Sequence, residues 1–243
     1  PQTIRQYAFV GGSKAYIHPS DCRACGRCVE LCRFGAIRRS ATDGKPNGQV
    51  FVVDPLTCEG CGVCVDHCPS RAVELRPYLN GQWFVSRFRR GHLFHAVLDV
   101  GSENSGKLVT QLRRAAWKFA EEKGVTLLVT DGPPGIGCPV IASLTGASLA
   151  LIVTEPTVSG LHDFERIARL CLRLGVPALT VINKADLNNE MAKRIADSAP
   201  KLHAEVLAAI PFDPDVLRAQ VAARSVVEVS DGPAARAIKA MYS

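Results

Sequence analysis

The 243-residue sequence has no hydrophobic run long enough to cross a bilayer; its most apolar stretch, Ala147 to Val153, is far too short. It shows no charged-then-apolar leader of the kind that directs export. Nor does it gather charge of one sign in one place. The net charge of +6 divides about evenly on either side of Leu79, which argues against the basic stripe of a nucleic-acid binder. It also lacks an initiator methionine, beginning Pro1-Gln2-Thr3, as a fragment or a processed chain does. The rest of the composition is that of an ordinary globular protein, 47% apolar and 21% charged. The length gives room for one sizeable domain and a small one.

Cysteine is where the chain departs from the ordinary. Eight of the ten cysteines fall into two copies of C-x2-C-x2-C-x3-C. The first is Cys22, Cys25, Cys28 and Cys32; the second is Cys58, Cys61, Cys64 and Cys68, followed by Pro69. Every cysteine of the first copy returns 36 positions later, and Ile17-His18-Pro19 returns as Val53-Asp54-Pro55. Three thiolates on a short loop wrap three corners of a cubane, and a fourth from the other copy completes the site. This is the run of bacterial two-cluster ferredoxins, and it predicts two [4Fe–4S] clusters. By that rule Cys22, Cys25, Cys28 and Cys68 hold one cluster, and Cys58, Cys61, Cys64 and Cys32 the other. Arg33 stands where the first copy would normally carry proline, which alters the turn and removes no ligand.

Two alternatives were weighed against the clusters. Structural zinc usually pairs two C-x2-C knuckles across a longer spacer, and disulfides need an oxidising compartment. Reduced thiols and oxygen-sensitive clusters fit a cytoplasmic chain. A basic cluster at Arg87, Arg89, Arg90 and His92 reads as a solvated hairpin. Its alternative role is a docking patch for an acidic redox partner.

From about Pro77 the pattern changes. Trp83 to Val85 and Leu93 to Val100 are expected strands. Val125–Thr130, Leu149–Thr154, Ala178–Ile182 and Val206–Ile210 are short apolar runs, the kind buried on both faces of a parallel sheet. Between them Leu108, Leu112, Ala115, Ala116 and Phe119 share one helical face, as do Phe164, Ile167, Leu170, Cys171 and Leu174. This alternation predicts an α/β fold with a doubly wound, mostly parallel sheet, beside a small α+β ferredoxin domain. Cys171, Met191, Met241 and Trp117 read as packing residues, and Cys138 as a buried helix-start cysteine.

Ligands on such sheets bind at the carboxyl ends of the strands. The run Val125–Thr130 leads into Asp131-Gly132-Pro133-Pro134-Gly135-Ile136-Gly137, a Walker B arrangement whose carboxylate holds the Mg²⁺ of a nucleotide. An Asp-capped strand–helix loop is the plainer explanation. Asn183-Lys184-Ala185-Asp186 matches the N-K-x-D element that reads a nucleobase, and Pro211 in Ile210-Pro211-Phe212-Asp213 is placed to flank the base. Helix capping is the alternative for Asp186 and, more seriously, for Asp213. A standard phosphate loop is missing. Gly101-Ser102-Glu103-Asn104-Ser105-Gly106-Lys107-Leu108 has the G-x4-G-K spacing. However, Leu108 replaces the Mg²⁺-binding Ser/Thr and Glu103 is negative; a helix start capped by Ser105 explains it equally well.

Together these motifs resemble the MinD-superfamily P-loop ATPases that carry an inserted ferredoxin domain. The resemblance rests on the tandem cysteines, Glu103–Lys107, Asp131–Gly137, Glu155-Pro156-Thr157-Val158-Ser159-Gly160 and Asn183–Asp186. It implies a deviant Walker A loop before the insert, which this sequence does not contain, and therefore a poor ATPase by itself. It implies Asp131 as the Walker B, catalytic carboxylate, with Asp131, Gly132, Asn183, Lys184, Asp186 and Pro211 around Mg²⁺-ATP. Lys107 is a motif lysine of open role. The expected division is a connecting segment at 1–15, the ferredoxin domain at 16–77 and an incomplete nucleotide-binding domain at 78–243.

The function expected is nucleotide-gated electron transfer or cluster delivery. The redox partner or cluster-receiving protein is not identified, and a homodimer or partner chain is implied. A plain electron carrier with a degenerate nucleotide domain, or a GTPase-like switch, is the alternative.

Overall fold

The computed structural model describes residues 1–41, 49–99, 102 and 106–242. Val100, Gly101, Glu103, Asn104 and Ser105, most of the expected phosphate loop, lie outside the described residues. The chain divides into two compact units, Pro1–Leu128 and Val129–Ser243.

The first unit is organised by a long antiparallel ribbon. Strand β1 (Gln2–Ile17) pairs with β4 from Gln2↔Arg87 to Ile17↔Val73. Residues of the expected connecting segment at 1–15 thus lie within β1. The cysteine repeats sit between the two strands, as α1 (Arg27–Leu31), β2 (Ile37–Ala41), β3 (Gln49–Val53) and α2 (Val63–Asp66). Strands β2 and β3 form a hairpin of their own. At its far end the ribbon gains a third strand, β4 (Val73–Phe88) being flanked there by β5 (Gly91–Leu98).

Pro77 sits within β4 but opposite Ser13, beyond the reach of β5, so its missing N–H breaks no ladder on that second side. The register shifts around Val10, between Phe9 and Gly12, mark a bulge in β1. Helix α3 (Gly106–Lys123) lays Leu108, Leu112 and Ala115 on Phe9, Trp83 and Val85 of the sheet. Trp117 lies off that stripe and is exposed, its indole N–H donating to Glu121 at 3.1 Å; it is not the packing residue expected.

In the second unit strands and helices alternate: α4 (Cys138–Leu144), β6 (Ala150–Thr154), α5 (Val158–Leu174), β7 (Ala178–Asn183), α6 (Asn189–Ser198) and β8 (Val206–Ile210). The unit closes with α7 (Pro214–Val221), α8 (Val226–Val229) and α9 (Pro233–Ala240). The strands form a parallel sheet in the order β6-β7-β8. Helix α5 starts on Thr157, whose Oγ1 accepts from Gly160 N at 2.9 Å, and stops at the left-handed Gly175. Its buried face, Phe164, Ala168 and Cys171, joins Ile152, Ile182 and Ile195 in the core. Full burial of a side chain such as Phe164 is worth about 1.5–3 kcal/mol.

Three further expectations need correction. Val125–Thr130 is not a strand: the whole run is irregular, with Leu127 75% and Val129 80% exposed. The residues have strand propensity, but a strand also needs a backbone partner, and among the described residues none pairs with it. Strand β6 is buried on one face only. Ala150, Ile152 and Thr154 face the core, whereas Leu151 and Val153 are exposed. Cys138 starts α4 as expected but is exposed, because that helix buries the side of Val140 and Ser143.

Asp213 anchors the C-terminal helices. Its carboxylate caps α7 by accepting from Asp215 N at 3.0 Å and also accepts from Ala234 N at 3.2 Å. Asp213→Ala orphans both amides and is expected to cost about 2 kcal/mol in a urea unfolding midpoint series; an unchanged midpoint would contradict this.

Candidate functional site

The cysteine loops repeat in backbone as well as in sequence. Positive φ occurs at Ala24 and Gly60, at Gly26 and Gly62, and at Gly35 and Arg71, each pair 36 residues apart. Gly26 and Gly62 share φ 80°, ψ −10° and open α1 and α2. Cross-bonds are reciprocal too. His18 N donates to Ala72 O at 2.8 Å, and Asp54 N to Ala36 O at 2.7 Å. A local two-fold therefore brings the end of each copy beside the start of the other.

The result is two cavities. Cys22, Cys25, Cys28 and Cys68 line the first. Cys32, Cys58, Cys61 and Cys64 line the second. All ten cysteines of the chain are thiols, with no disulfide among them. The structure thus brings together three cysteines of one copy with the last of the other, twice. Four thiols around each cavity, with main-chain N–H groups directed at sulfur, are the donor set a cubane takes. Ala72 N donates to Cys68 Sγ at 3.3 Å and Ala15 N to Cys58 Sγ at 3.5 Å.

The thiols differ in acidity. Burial, reinforced by the neighbouring Cys22, pushes Cys28 up to about 11. Burial, then Cys58, raises Cys64. At Cys68 burial pushes upward too, but hydrogen bonds from the Ser70 hydroxyl and the Ala72 amide outweigh it, and its pKa is lowered. A metal held by Cys28 and Cys64 would have to displace their protons, since only thiolates ligate.

The ribbon touches the second cavity directly. Lys14 donates to the Cys58 carbonyl, and a Cβ on Gly60 would lie 2.0 Å from Ser13 O. Further along β1, at the bulge, Lys107 Nζ donates to Val10 O at 3.1 Å and Gly11 O at 3.3 Å. Asn80 holds the same point, accepting from Gly11 N at 2.8 Å and donating to Ser102 Oγ at 3.4 Å. Lys14 and Asn80 escaped sequence reasoning; Lys14 reaches Cys58 across 44 residues and Asn80 reaches Gly11 across 69, and no local pattern marks them.

Of the remaining candidates, Asn183 ends β7, and Lys184 follows in the left-handed region at φ 53°. Lys184 Nζ pairs with Glu155 at 2.7 Å, tying the end of β6 to that of β7. Asp186 Oδ1 accepts from Phe212 N at 2.6 Å and so fixes the loop containing Pro211. Gly160 is required there by close approach, since a Cβ would lie 2.2 Å from Glu155 O. Asp131 and Gly132 are exposed in the irregular run before α4. Among the described residues no hydrogen bond or ion pair joins them to Lys184 or Asp186. Asp213 is used as a helix cap.

Residues 21–72 match the 4Fe-4S dicluster domain family. An uncharacterized protein of Methanocaldococcus jannaschii is 31% identical over 222 residues, 91% of this chain and 71% of that protein. An uncharacterized ATP-binding protein of the same organism is 28% identical over 115 residues, 47% of this chain and 44% of that protein. Among solved structures, the MinD cell division protein of Aquifex aeolicus superposes with a TM-score of 0.50 at 22% identity, over 65% of this chain and 66% of that one. That is a likeness of fold, and the chain spans just under two thirds of that MinD. Among the described residues no helix is long and apolar enough to cross a membrane.

Proposed function

The chain belongs to the family of the 31%-identical Methanocaldococcus protein, shares the fold of MinD and carries a 4Fe-4S dicluster domain, and from that premise we propose that it moves single electrons under the control of a bound nucleotide. In this reading residues 16–77 carry the clusters and 78–243 the nucleotide part. Cys22, Cys25, Cys28 and Cys68 hold one cluster, and Cys32, Cys58, Cys61 and Cys64 the other. Each cluster, when bound, accepts or gives one electron. The eight thiols around two cavities carry this reading.

The nucleotide part rests on the edge formed by Glu155, Lys184, Asp186 and Pro211, with Asp131 and Gly132 on the Mg²⁺ side. Lys184, held by Glu155, lies over the base, while the Phe212 amide fixes Asp186 and so positions Asn183. Coupling runs along β1, where Lys107 and Asn80 grip the bulge and Lys14 and Ala15 meet Cys58. A redox partner or cluster acceptor, or a second copy of the chain, receives the output.

The test is equilibrium binding of Mg-ATP and Mg-GTP to the anaerobically purified, cluster-loaded protein, followed by its EPR spectrum with and without nucleotide. Mg-ATP is expected to bind and to change the spectrum. Binding that leaves spectrum and potential unchanged removes the coupling. One observation favours a plain electron carrier as the second reading: the Lys107 amine is already spent on two carbonyls of β1. Preference for Mg-GTP would instead point to a GTPase-like switch.

A further inference from the structure

The two cavities are equivalent in their thiols and in the backbone around them, but unequal in the charged side chains of their walls. Arg23 and Arg27 stand in the wall of the Cys22 cavity. The charged residue in the wall of the Cys58 cavity is Glu59. Among the described residues neither guanidinium is paired with a carboxylate. Burial differs in the same sense: Cys58 is 8% exposed, whereas its counterpart Cys22 is half-buried. At Cys68 both the Ser70 hydroxyl, at 3.7 Å, and the Ala72 amide, at 3.3 Å, meet the sulfur, where Cys58 has the Ala15 amide at 3.5 Å.

From these asymmetries we infer that Arg23, Arg27 and Ser70 hold the cluster of Cys22, Cys25, Cys28 and Cys68 at the higher reduction potential, so that a single electron entering the chain comes to rest there. The inference stands on the cluster reading above. Reduction adds one negative charge to a cluster. Cations in the wall, hydrogen bonds to sulfur and access to water all stabilise that charge, while a carboxylate and burial oppose it.

Two cations work in the other direction. Lys14 donates to the Cys58 carbonyl, and Arg33 lies over Phe34, which lines the second cavity. Neither lines a cavity, whereas Arg23, Arg27 and Glu59 do, and the inference is that these wall residues set the order. The internal transfer balances without a further reagent: the Cys58 cluster loses one electron and the Cys22 cluster gains it.

The experiment is an EPR-monitored dithionite titration of the cluster-loaded chain, repeated on R23Q/R27Q and on E59Q. The expected result is two one-electron steps in the parent. R23Q/R27Q moves only the higher step downward, and E59Q moves only the lower step upward, so both variants draw the steps together. All three substituted side chains are exposed, so the variants should keep the fold, and their iron content verifies it. A single common potential in the parent overturns the inference. So does a downward shift confined to the lower step in R23Q/R27Q. Protein that binds no iron overturns the cluster reading itself, an outcome that iron and sulfide analysis separates from the other two.

Discussion

Cys22→Ala combined with Cys68→Ala is expected to remove one cluster and spare the other, leaving roughly four iron atoms per chain where the parent has roughly eight. The two residues are far apart in sequence and stand in different repeats, yet they line the same cavity. Either substitution alone removes the same cluster, so the double variant loses no more than a single one. This non-additivity is the signature of a shared site. Ligation within each repeat predicts the opposite, with the double variant losing both clusters and all iron. Cys32→Ala with Cys58→Ala is the mirror experiment on the second cavity. Iron and acid-labile sulfide counts decide between the two arrangements, and EPR shows which cluster survives.

The second large effect is expected at Gly60. Its φ is +63°, and an added Cβ would lie 2.0 Å from the Ser13 carbonyl oxygen, a backbone atom of a paired strand. Gly60→Ala therefore combines left-handed strain with overpacking, together about 2–5 kcal/mol. Gly62→Ala has the same sign of φ but meets only Leu75 Cδ1 at 3.8 Å, so about 1–2 kcal/mol is expected. The damage from Gly60→Ala falls where β1 meets the Cys58 loop. The lower-potential cluster should be lost first on mild warming, followed by its visible absorbance. Equal stability of the Gly60 and Gly62 variants would mean that β1 does not seat on this loop.

What the sequence disclosed and what it withheld divide along physical lines. Cysteine spacing is local, so the cysteines that line both cavities were readable before any fold was known. The strands β6, β7 and β8 and the helix α5 between the first two were readable for the same reason, because periodicity is a property of short windows; α6 was not singled out. Strand β1 was not, since its partner β4 lies some 70 residues away and Gly11-Gly12 at the bulge reads as a loop. Val125–Thr130 failed in the opposite way, having the composition of a strand without a neighbour to pair with. The burial of Cys171 followed from its helical face, whereas the exposure of Trp117 and Cys138 depended on one helical register position each. Lys184 illustrates the middle case. Its motif was legible, but its ion pair with Glu155 was not.

The crossed arrangement of the thiols also bears on how the ferredoxin region comes apart. An iron–sulfide core bonded to both Cys22 and Cys68 ties together points 46 residues apart, and the second core closes a comparable span. Loop closure on that scale restrains an unfolded chain by about 4 kcal/mol when the link is covalent. Clusters held in this way would act as two inorganic staples, and a cut in the peptide between the repeats would leave the pieces joined. Oxygen, by dissolving the staples, would release them.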